Sequence, residues 1–73
     1  MTRYIIHTRQ HLDRRWEPLF EGFTLRHIYT QGQQPVTEIR GQVLDQAALY
    51  GLLARLRNLG AELISVQPEE EEG

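Results

Sequence analysis

The sequence has no cysteine, no lysine, a single serine and no long run of apolar residues. Without cysteine, disulfide bonds and thiolate metal sites are excluded. No apolar run approaches the roughly 20 residues that a helix needs to cross a bilayer. The apolar stretch after Met1 is also too short for the core of a signal peptide. We therefore expect a cytoplasmic protein that is not held in a membrane.

The charge is unevenly distributed along the 73 residues. The net charge is −2, but four of the ten acidic residues are the glutamates at positions 69 to 72. Without those four, eight arginines face six acidic residues. This is a weak basic excess, whereas nucleic-acid-binding proteins usually carry a clustered basic face. We predict one domain over residues 1–68, followed by a disordered acidic tail over residues 69–73, because clustered like charges disfavour packing.

A long helix is the clearest element that the sequence predicts. Leucines recur at the spacing of one helical face between Gln46 and Leu59. Asp45 stands where an N-cap residue accepts hydrogen bonds from first-turn amides. Gly60 follows the last leucine and suits the left-handed position that ends many helices. Start, body and end signals therefore agree on a helix over residues 46–59.

The remaining pattern predicts four strands and a second, shorter helix. Alternating and β-branched residues favour strands over 4–10, 23–30, 36–43 and 61–67, the last ended by Pro68. Trp16, Leu19 and Phe20 form one apolar face between Leu12 and Gly22, but Pro18 interrupts the helical hydrogen bonds, so this helix should be short or irregular. The resulting order is that of an α+β, ferredoxin-like βαββαβ plait: a four-stranded antiparallel sheet with one short and one long helix on one face.

The segment DQAALYGLLARLRNLG at residues 45–60 and the strand LISV at residues 63–66 resemble a group of short bacterial proteins of unknown function. Those proteins carry a DQAALxGLLxRLxxLG helix and a final LxSV strand. Trp16, Phe20, Gly22 and the pair Arg40-Gly41 match the same pattern. The resemblance covers most of the chain and implies no activity, so no catalytic residue is transferred from it.

No group of residues in the sequence forms a recognisable catalytic, cofactor-binding or metal-binding motif. His7 and His11 have the spacing of two ligands on one helical face, but they lie on a predicted strand and its exit. Strand alternation places His7 on the sheet face away from the helices and His27 on the core side. Ser65 lacks the glycines of a nucleophile elbow. The sequence therefore favours a protein that is not an enzyme and binds no cofactor.

The leading functional interpretation is a non-enzymatic protein-interaction module that associates through the open sheet face, either with itself as a homodimer or with another protein. A chain of this size buries only about 60% of its unfolded surface, and small domains often gain stability by oligomerising. Apolar residues rimmed by polar ones are typical of association surfaces. The predicted interface residues are Ile5, His7, Arg9, Ile28, Arg40 and Leu63.

Two alternatives remain open at this stage. The first is a small-molecule-binding or enzymatic dimeric α/β-plait protein, with a pocket lined by Trp16, Phe20, His27, Tyr29 and Tyr50. The second is RNA binding, because βαββαβ domains that bind RNA stack bases on sheet aromatics; here that face carries few aromatics.

Gly51, inside the long helix, predicts a close contact there, and Gly41 predicts a bulge or a close approach of the helix.

Overall fold

The structure, a computed structural model, describes residues 2–69. No helix among these residues is both long enough and apolar enough to span a membrane. The elements follow the predicted order and comprise β1 (Thr2–Arg9), a 3₁₀ helix (Arg14–Phe20), β2 (Phe23–Tyr29), β3 (Pro35–Val43), α1 (Gln46–Asn58) and β4 (Leu63–Glu69).

The four strands form one sheet in the order β2-β3-β1-β4, and every neighbouring pair is antiparallel. The central strands β1 and β3 pair Ile6 with Ile39, and β3 pairs Ile39 with Leu25 of β2. This row of apolar side chains lies under both helices. The predicted α+β fold, with an antiparallel four-stranded sheet and two helices on one face, is confirmed.

The hydrophobic core lies between the sheet and the helices. Its centre contains Ile6, Ile39 and Phe20, which are each at most 2% exposed. The other buried members are Leu25, Val43, Leu49, Leu52 and Leu56. Since burying each such side chain contributes about 1.5–3 kcal/mol, this cluster supplies most of the driving force for folding.

Both ends of α1 are capped as the sequence predicts. The Asp45 carboxylate accepts a hydrogen bond from the Ala48 amide at 2.8 Å. At the other end, the Ala61 amide donates to the Leu56 carbonyl and the Gly60 amide to the Arg57 carbonyl, with Gly60 at φ 79°. This pair of bonds is a Schellman motif, which needs a left-handed residue and so favours glycine.

The segment after β1 forms a 3₁₀ helix rather than an α-helix. Asp13 caps it by accepting from the Arg15 amide at 2.9 Å. Pro18 lies inside it and has no amide hydrogen to donate. Phe20 is 2% exposed and Trp16 packs against the core, so the short helix covers the sheet although it is irregular.

Strand β4 differs from the prediction in two ways. It continues through Pro68 to Glu69, so Glu69 belongs to the sheet and not to an acidic tail; residues 70–73 of that predicted tail lie outside the described residues. Proline is tolerated because β4 is an edge strand, where one side needs no amide donor. The register also shifts opposite His7 and Thr8, so strict alternation fails at Leu63 and Ile64.

The two glycines singled out by the sequence have different surroundings from those expected. A Cβ at Gly41 would lie 2.5–2.9 Å from ring carbons of Phe23, so the close neighbour is an aromatic ring of the adjacent strand and not the helix. A Cβ at Gly51 would meet nothing within 4 Å, so no close contact within residues 2–69 requires that glycine.

Two cross-strand neighbours, Thr8 and Thr37, are both 0% exposed, but their hydroxyl groups differ in hydrogen bonding. The Thr37 hydroxyl donates to the Gln10 carbonyl at 2.8 Å and accepts from the Leu12 amide at 2.9 Å. The Thr8 hydroxyl has no hydrogen-bond partner among residues 2–69. Thr37 therefore attaches the loop that follows β1 to the sheet, whereas Thr8 does not.

We expect Thr37→Val to lower the free energy of unfolding by about 1 kcal/mol, because it leaves a loop carbonyl and amide without their partner. The matched control Thr8→Val should be neutral or stabilising, since it replaces an unpaired buried hydroxyl with a methyl group. Urea unfolding of both variants measures the two changes. If both variants lost the same free energy of unfolding, the hydrogen bonds of Thr37 would not be what stabilises the loop.

Candidate functional site

The sheet face opposite the helices is built from alternate residues of all four strands. Residues that are paired across neighbouring strands point to the same side of the sheet, so the strand register determines which residues belong to this face. We call this surface the open face. Its members are Arg3, Ile5, His7 and Arg9 on β1; Val36, Glu38, Arg40 and Gln42 on β3; Thr24, Arg26 and Ile28 on β2; and Ser65, Gln67 and Glu69 on β4.

Glu38 is the buried centre of the open face, with only 7% of its surface exposed. Three cationic or protonatable groups of the face surround its carboxylate. His7 Nε2 lies 3.1 Å from Oε1, while Arg40 Nε and Arg26 Nη1 lie 3.4 Å and 3.5 Å from Oε2. Burial alone would raise the pKa of the Glu38 carboxyl, but the hydrogen bond from His7 and the charges of Arg40, His7 and Arg26 outweigh it and lower that pKa.

A second carboxylate extends this ion-pair network to the end of the sheet. Glu69 accepts from Arg3 Nε at 3.1 Å and from Arg40 Nη1 at 2.9 Å. Arg40 therefore bridges the two glutamates, and the network spans all four strands. Two of its buried atoms, Glu38 Oε2 and Arg40 Nε, make no hydrogen bond of good geometry within residues 2–69.

The apolar residues of the open face lie beside this network rather than in one exposed patch. Val36 is 3% exposed, and Ile5 and Ile28 are half-buried. At one end of the sheet, Ile64 joins Val36 and Arg9 around a groove of about 190 Å³. Arg9 is itself paired with Glu62 at this margin.

Five of the six predicted interface residues lie on the open face: Ile5, His7, Arg9, Ile28 and Arg40. The sixth, Leu63, does not follow the predicted alternation. Because of the register shift, Leu63 pairs with Thr8, whose side chain points to the core, and Ile64 reaches the groove on the open face instead. Their role in an interface stays a prediction.

The residues predicted to line a single pocket lie in different places. Phe20 lines a cleft of about 280 Å³ between the 3₁₀ helix and α1, together with Phe23 and Gly51. Trp16 packs against the core, and Tyr50 is 62% exposed on α1. His27 and Tyr29 lie elsewhere, grouped with His11. The structure therefore does not assemble these five side chains into one site.

His11 and His27 stack on each other on the helix side of β2. Their ring centroids are 4.4 Å apart and their planes are inclined by 5°. Tyr29 meets the His11 ring edge-on at 4.9 Å. Among residues 2–69, no group of three or more histidine, cysteine or acidic side chains is placed to hold a metal ion.

A family profile described as a domain of unknown function, DUF8691, matches residues 3–67. The chain belongs to this family. The match includes β2, β3, both helices, every histidine and most of β1 and β4. Neither the comparison with curated proteins nor that with solved structures found a match.

In this DUF8691 chain, two contacts between residues distant in the sequence are not predicted by local pattern. Glu69, expected in the acidic tail, closes the ion-pair network with Arg3 and Arg40. His11 stacks on His27, although the two residues are sixteen positions apart. Strand alternation gives the face of a strand residue but not its row in the sheet, and it says nothing of His11, which lies in the loop after β1.

Proposed function

We propose that this chain is a non-catalytic protein-interaction module that forms a homodimer through its open face. One observation supports this most strongly. Both helices pack on the opposite side of the sheet, so among residues 2–69 no second layer covers Glu38 and its neighbours. Sheets are normally buried on at least one face, and a second face with mixed apolar and charged residues is suited to association.

The charges of the open face favour a second copy of the chain as its partner. Ion pairs on this face and at its margin join four arginines to three glutamates, so the two signs nearly balance and are interleaved; the arginines are Arg3, Arg9, Arg26 and Arg40, and the glutamates are Glu38, Glu62 and Glu69. A two-fold interface brings the same surface against itself, so a charged face pairs well with its own copy only if it carries both signs. A nucleic acid would instead need an excess of positive charge. The balance of signs therefore supports self-association over RNA binding.

The size of the face sets the expected strength of the dimer. Four strands about 4.8 Å apart and seven residues long at about 3.3 Å each give a face of about 450 Å² in projection. Stable interfaces usually bury about 800 Å² on each partner. We therefore propose a reversible dimer rather than an obligate one.

Sedimentation equilibrium from micromolar to near-millimolar protein tests this proposal. We expect a concentration-dependent monomer–dimer equilibrium for the wild type. Ile5→Arg should weaken dimerisation at least about tenfold, because it places a further positive charge beside Arg40 at the centre of the face. The control Tyr50→Arg changes an exposed residue on α1, on the other side of the sheet, and should leave the equilibrium unchanged.

The control variant also identifies the surface that is used. A monomer at every concentration would contradict self-association. A dimer weakened by Tyr50→Arg and not by Ile5→Arg would show that the helix side, and not the open face, forms the contact. Circular dichroism of each variant confirms that a lost dimer does not reflect lost folding.

A further inference from the structure

A cleft between the 3₁₀ helix and α1 lies on the helix side of the sheet, away from the open face; we call it the helix-side cleft. Its volume of about 280 Å³ is close to the lower end of the range for small-molecule sites. Its floor is apolar, because Phe20 and Leu52 are 2% and 5% exposed and Phe23 packs beside them. Leu19, which is 40% exposed, forms one wall. The cleft therefore offers apolar surface to a small ligand.

Gly51 is the residue of α1 that leaves this cleft open. Glycine is less favourable than alanine in the interior of a helix. A Cβ at this position would meet nothing within 4 Å, and the backbone here does not adopt the positive φ that favours glycine. The packing of residues 2–69 therefore gives no reason for a glycine at this point. A larger side chain at position 51 would narrow the cleft, so the glycine preserves its space.

Two opposite charges flank the apolar floor. Arg55, about one helical turn after Gly51, donates from Nη1 to the Leu19 carbonyl at 2.8 Å, which holds its guanidinium at the rim. Glu21 lies at the end of the 3₁₀ helix and lines the same cleft. Among the ion pairs of residues 2–69, none includes Arg55 or Glu21. The guanidinium has further N–H donors, and the carboxylate has its acceptor oxygens, for a ligand.

We propose that the helix-side cleft binds an apolar α-amino acid, with its carboxylate on Arg55, its ammonium group on Glu21 and its side chain on the floor. An α-amino acid carries both charged groups on one carbon atom, so one small molecule meets both rims and the floor together. Hydrogen bonds between charged groups are roughly twice as strong as neutral ones, so the two rim charges set the specificity. A ligand with a single charge would leave the opposite rim group without a partner.

Binding in the helix-side cleft is independent of self-association. The cleft and the open face lie on opposite sides of the sheet, so a ligand in the cleft covers none of the proposed dimer contacts. A protein that stays monomeric would bind the amino acid equally well. The affinity should therefore not change with protein concentration, and the failure of either proposal leaves the other standing.

Amide-correlation NMR of the isotope-labelled whole chain, titrated with L-phenylalanine, tests the proposal. We expect saturable shift changes centred on the amides of Glu21, Phe23, Gly51 and Leu52. Two analogues probe the two charges: phenylpropionate lacks the ammonium group, and phenylethylamine lacks the carboxylate. Each analogue should bind at least about tenfold more weakly than L-phenylalanine, because it loses one charge-assisted contact. L-Leucine is titrated in parallel as a smaller apolar amino acid.

Two substitutions at the rims assign the contacts. Arg55→Gln should weaken the binding of L-phenylalanine at least about tenfold without weakening that of phenylethylamine, which has no carboxylate to lose a partner. Glu21→Gln should weaken L-phenylalanine to a similar degree without weakening phenylpropionate, which has no ammonium group. The matched control Arg57→Gln changes an arginine of α1 that does not line the cleft, so it should bind as the wild type does.

Gly51→Leu tests the role of the glycine by a separate route. Leucine is favoured over glycine in a helix interior, so the variant should fold, while its side chain occupies the cleft. We expect it to abolish the shift changes that L-phenylalanine produces. The amide spectrum recorded in the same titration shows whether each variant is folded.

Two results would overturn the proposal. The first is the absence of saturable shift changes at the cleft amides with both L-phenylalanine and L-leucine up to their solubility limits. The second is an equal affinity for L-phenylalanine, phenylpropionate and phenylethylamine, since the cleft would then recognise the apolar body alone and neither charge.

Discussion

Replacing Gly41 with alanine is expected to lower the free energy of unfolding by about 2–3 kcal/mol. The added Cβ would lie 2.5 Å from one Phe23 ring carbon and 2.9 Å from two others, including the ring carbon that joins the side chain. The whole ring must therefore move, and overpacking of this kind typically costs about 1–3 kcal/mol. Intrinsic strand preference acts the other way, because glycine weakens a strand interior. Urea unfolding measures the result.

Gly51→Ala is the matched control for this prediction. It makes the same chemical change in the middle of α1, where the new Cβ meets nothing within 4 Å. Alanine is favoured over glycine in a helix interior by about 1 kcal/mol, so this variant should be more stable than the wild type. If the free energy of unfolding falls in Gly41→Ala and rises in Gly51→Ala, the effect of the Phe23 ring is separated from the general effect of removing a glycine.

A double-mutant cycle shows whether the ring is responsible. In a Phe23→Ala background, Gly41→Ala should cost much less, because the new methyl group then has room. An undiminished cost in that background would contradict the packing explanation and would indicate a backbone requirement at Gly41 instead.

Replacing Glu38 with glutamine is expected to lower the free energy of unfolding by about 2–3 kcal/mol at neutral pH. The carboxylate is 7% exposed and is surrounded by His7, Arg40 and Arg26. Hydrogen bonds to charged groups are worth about 1.5–3 kcal/mol. Removing the negative charge also leaves Arg26 and Arg40 without a counter-charge at this position. Unfolding is measured at low protein concentration, so that association does not contribute to stability.

The lowered pKa of Glu38 determines how the effect of Glu38→Gln on the free energy of unfolding varies with pH. The pKa of Glu38 is lowered from its ordinary value of 4.5 in the folded chain, so the folded state binds a proton less readily than the unfolded state. The stabilisation by Glu38 is then complete above about pH 4.5 and is lost as the pH falls through the lower, folded-state value. The stability difference between the wild type and Glu38→Gln should shrink over that acidic range.

Glu62→Gln provides the control, since Glu62 pairs with Arg9 but both side chains are at least 60% exposed. Exposed ion pairs contribute little, so this variant should remain close to the wild type at every pH. Equal effects of the two substitutions would show that the central position of Glu38 in the network has no special energetic importance.

The elements that could be predicted from sequence are those specified by local pattern. In α1, the leucine spacing, the Asp45 cap and the Gly60 terminator act within a few residues of one another, and the structure begins the helix at Gln46 and ends it at Asn58. The faces of β1 and β2 followed from alternation, so His7 and His27 were placed on the correct sides of the sheet.

The features that could not be predicted depend on partners distant in the chain. Pro68 would end an inner strand, but β4 is an edge strand, and nothing in its local sequence indicates that position. The register shift opposite His7 and Thr8 exchanges the places of Leu63 and Ile64. The buried ion pairs of Glu38 require three strands in one register, which no local pattern specifies.

The most direct test of self-association through the open face is an isotope-filtered NOE experiment on an equal mixture of labelled and unlabelled chains at near-millimolar concentration. We expect intermolecular NOEs to the methyl groups of Ile5 and Ile28 and none to those of Leu52, which lies on α1 and is buried in the core. A complete absence of intermolecular NOEs, or NOEs confined to the exposed side of α1 around Tyr50, would contradict it.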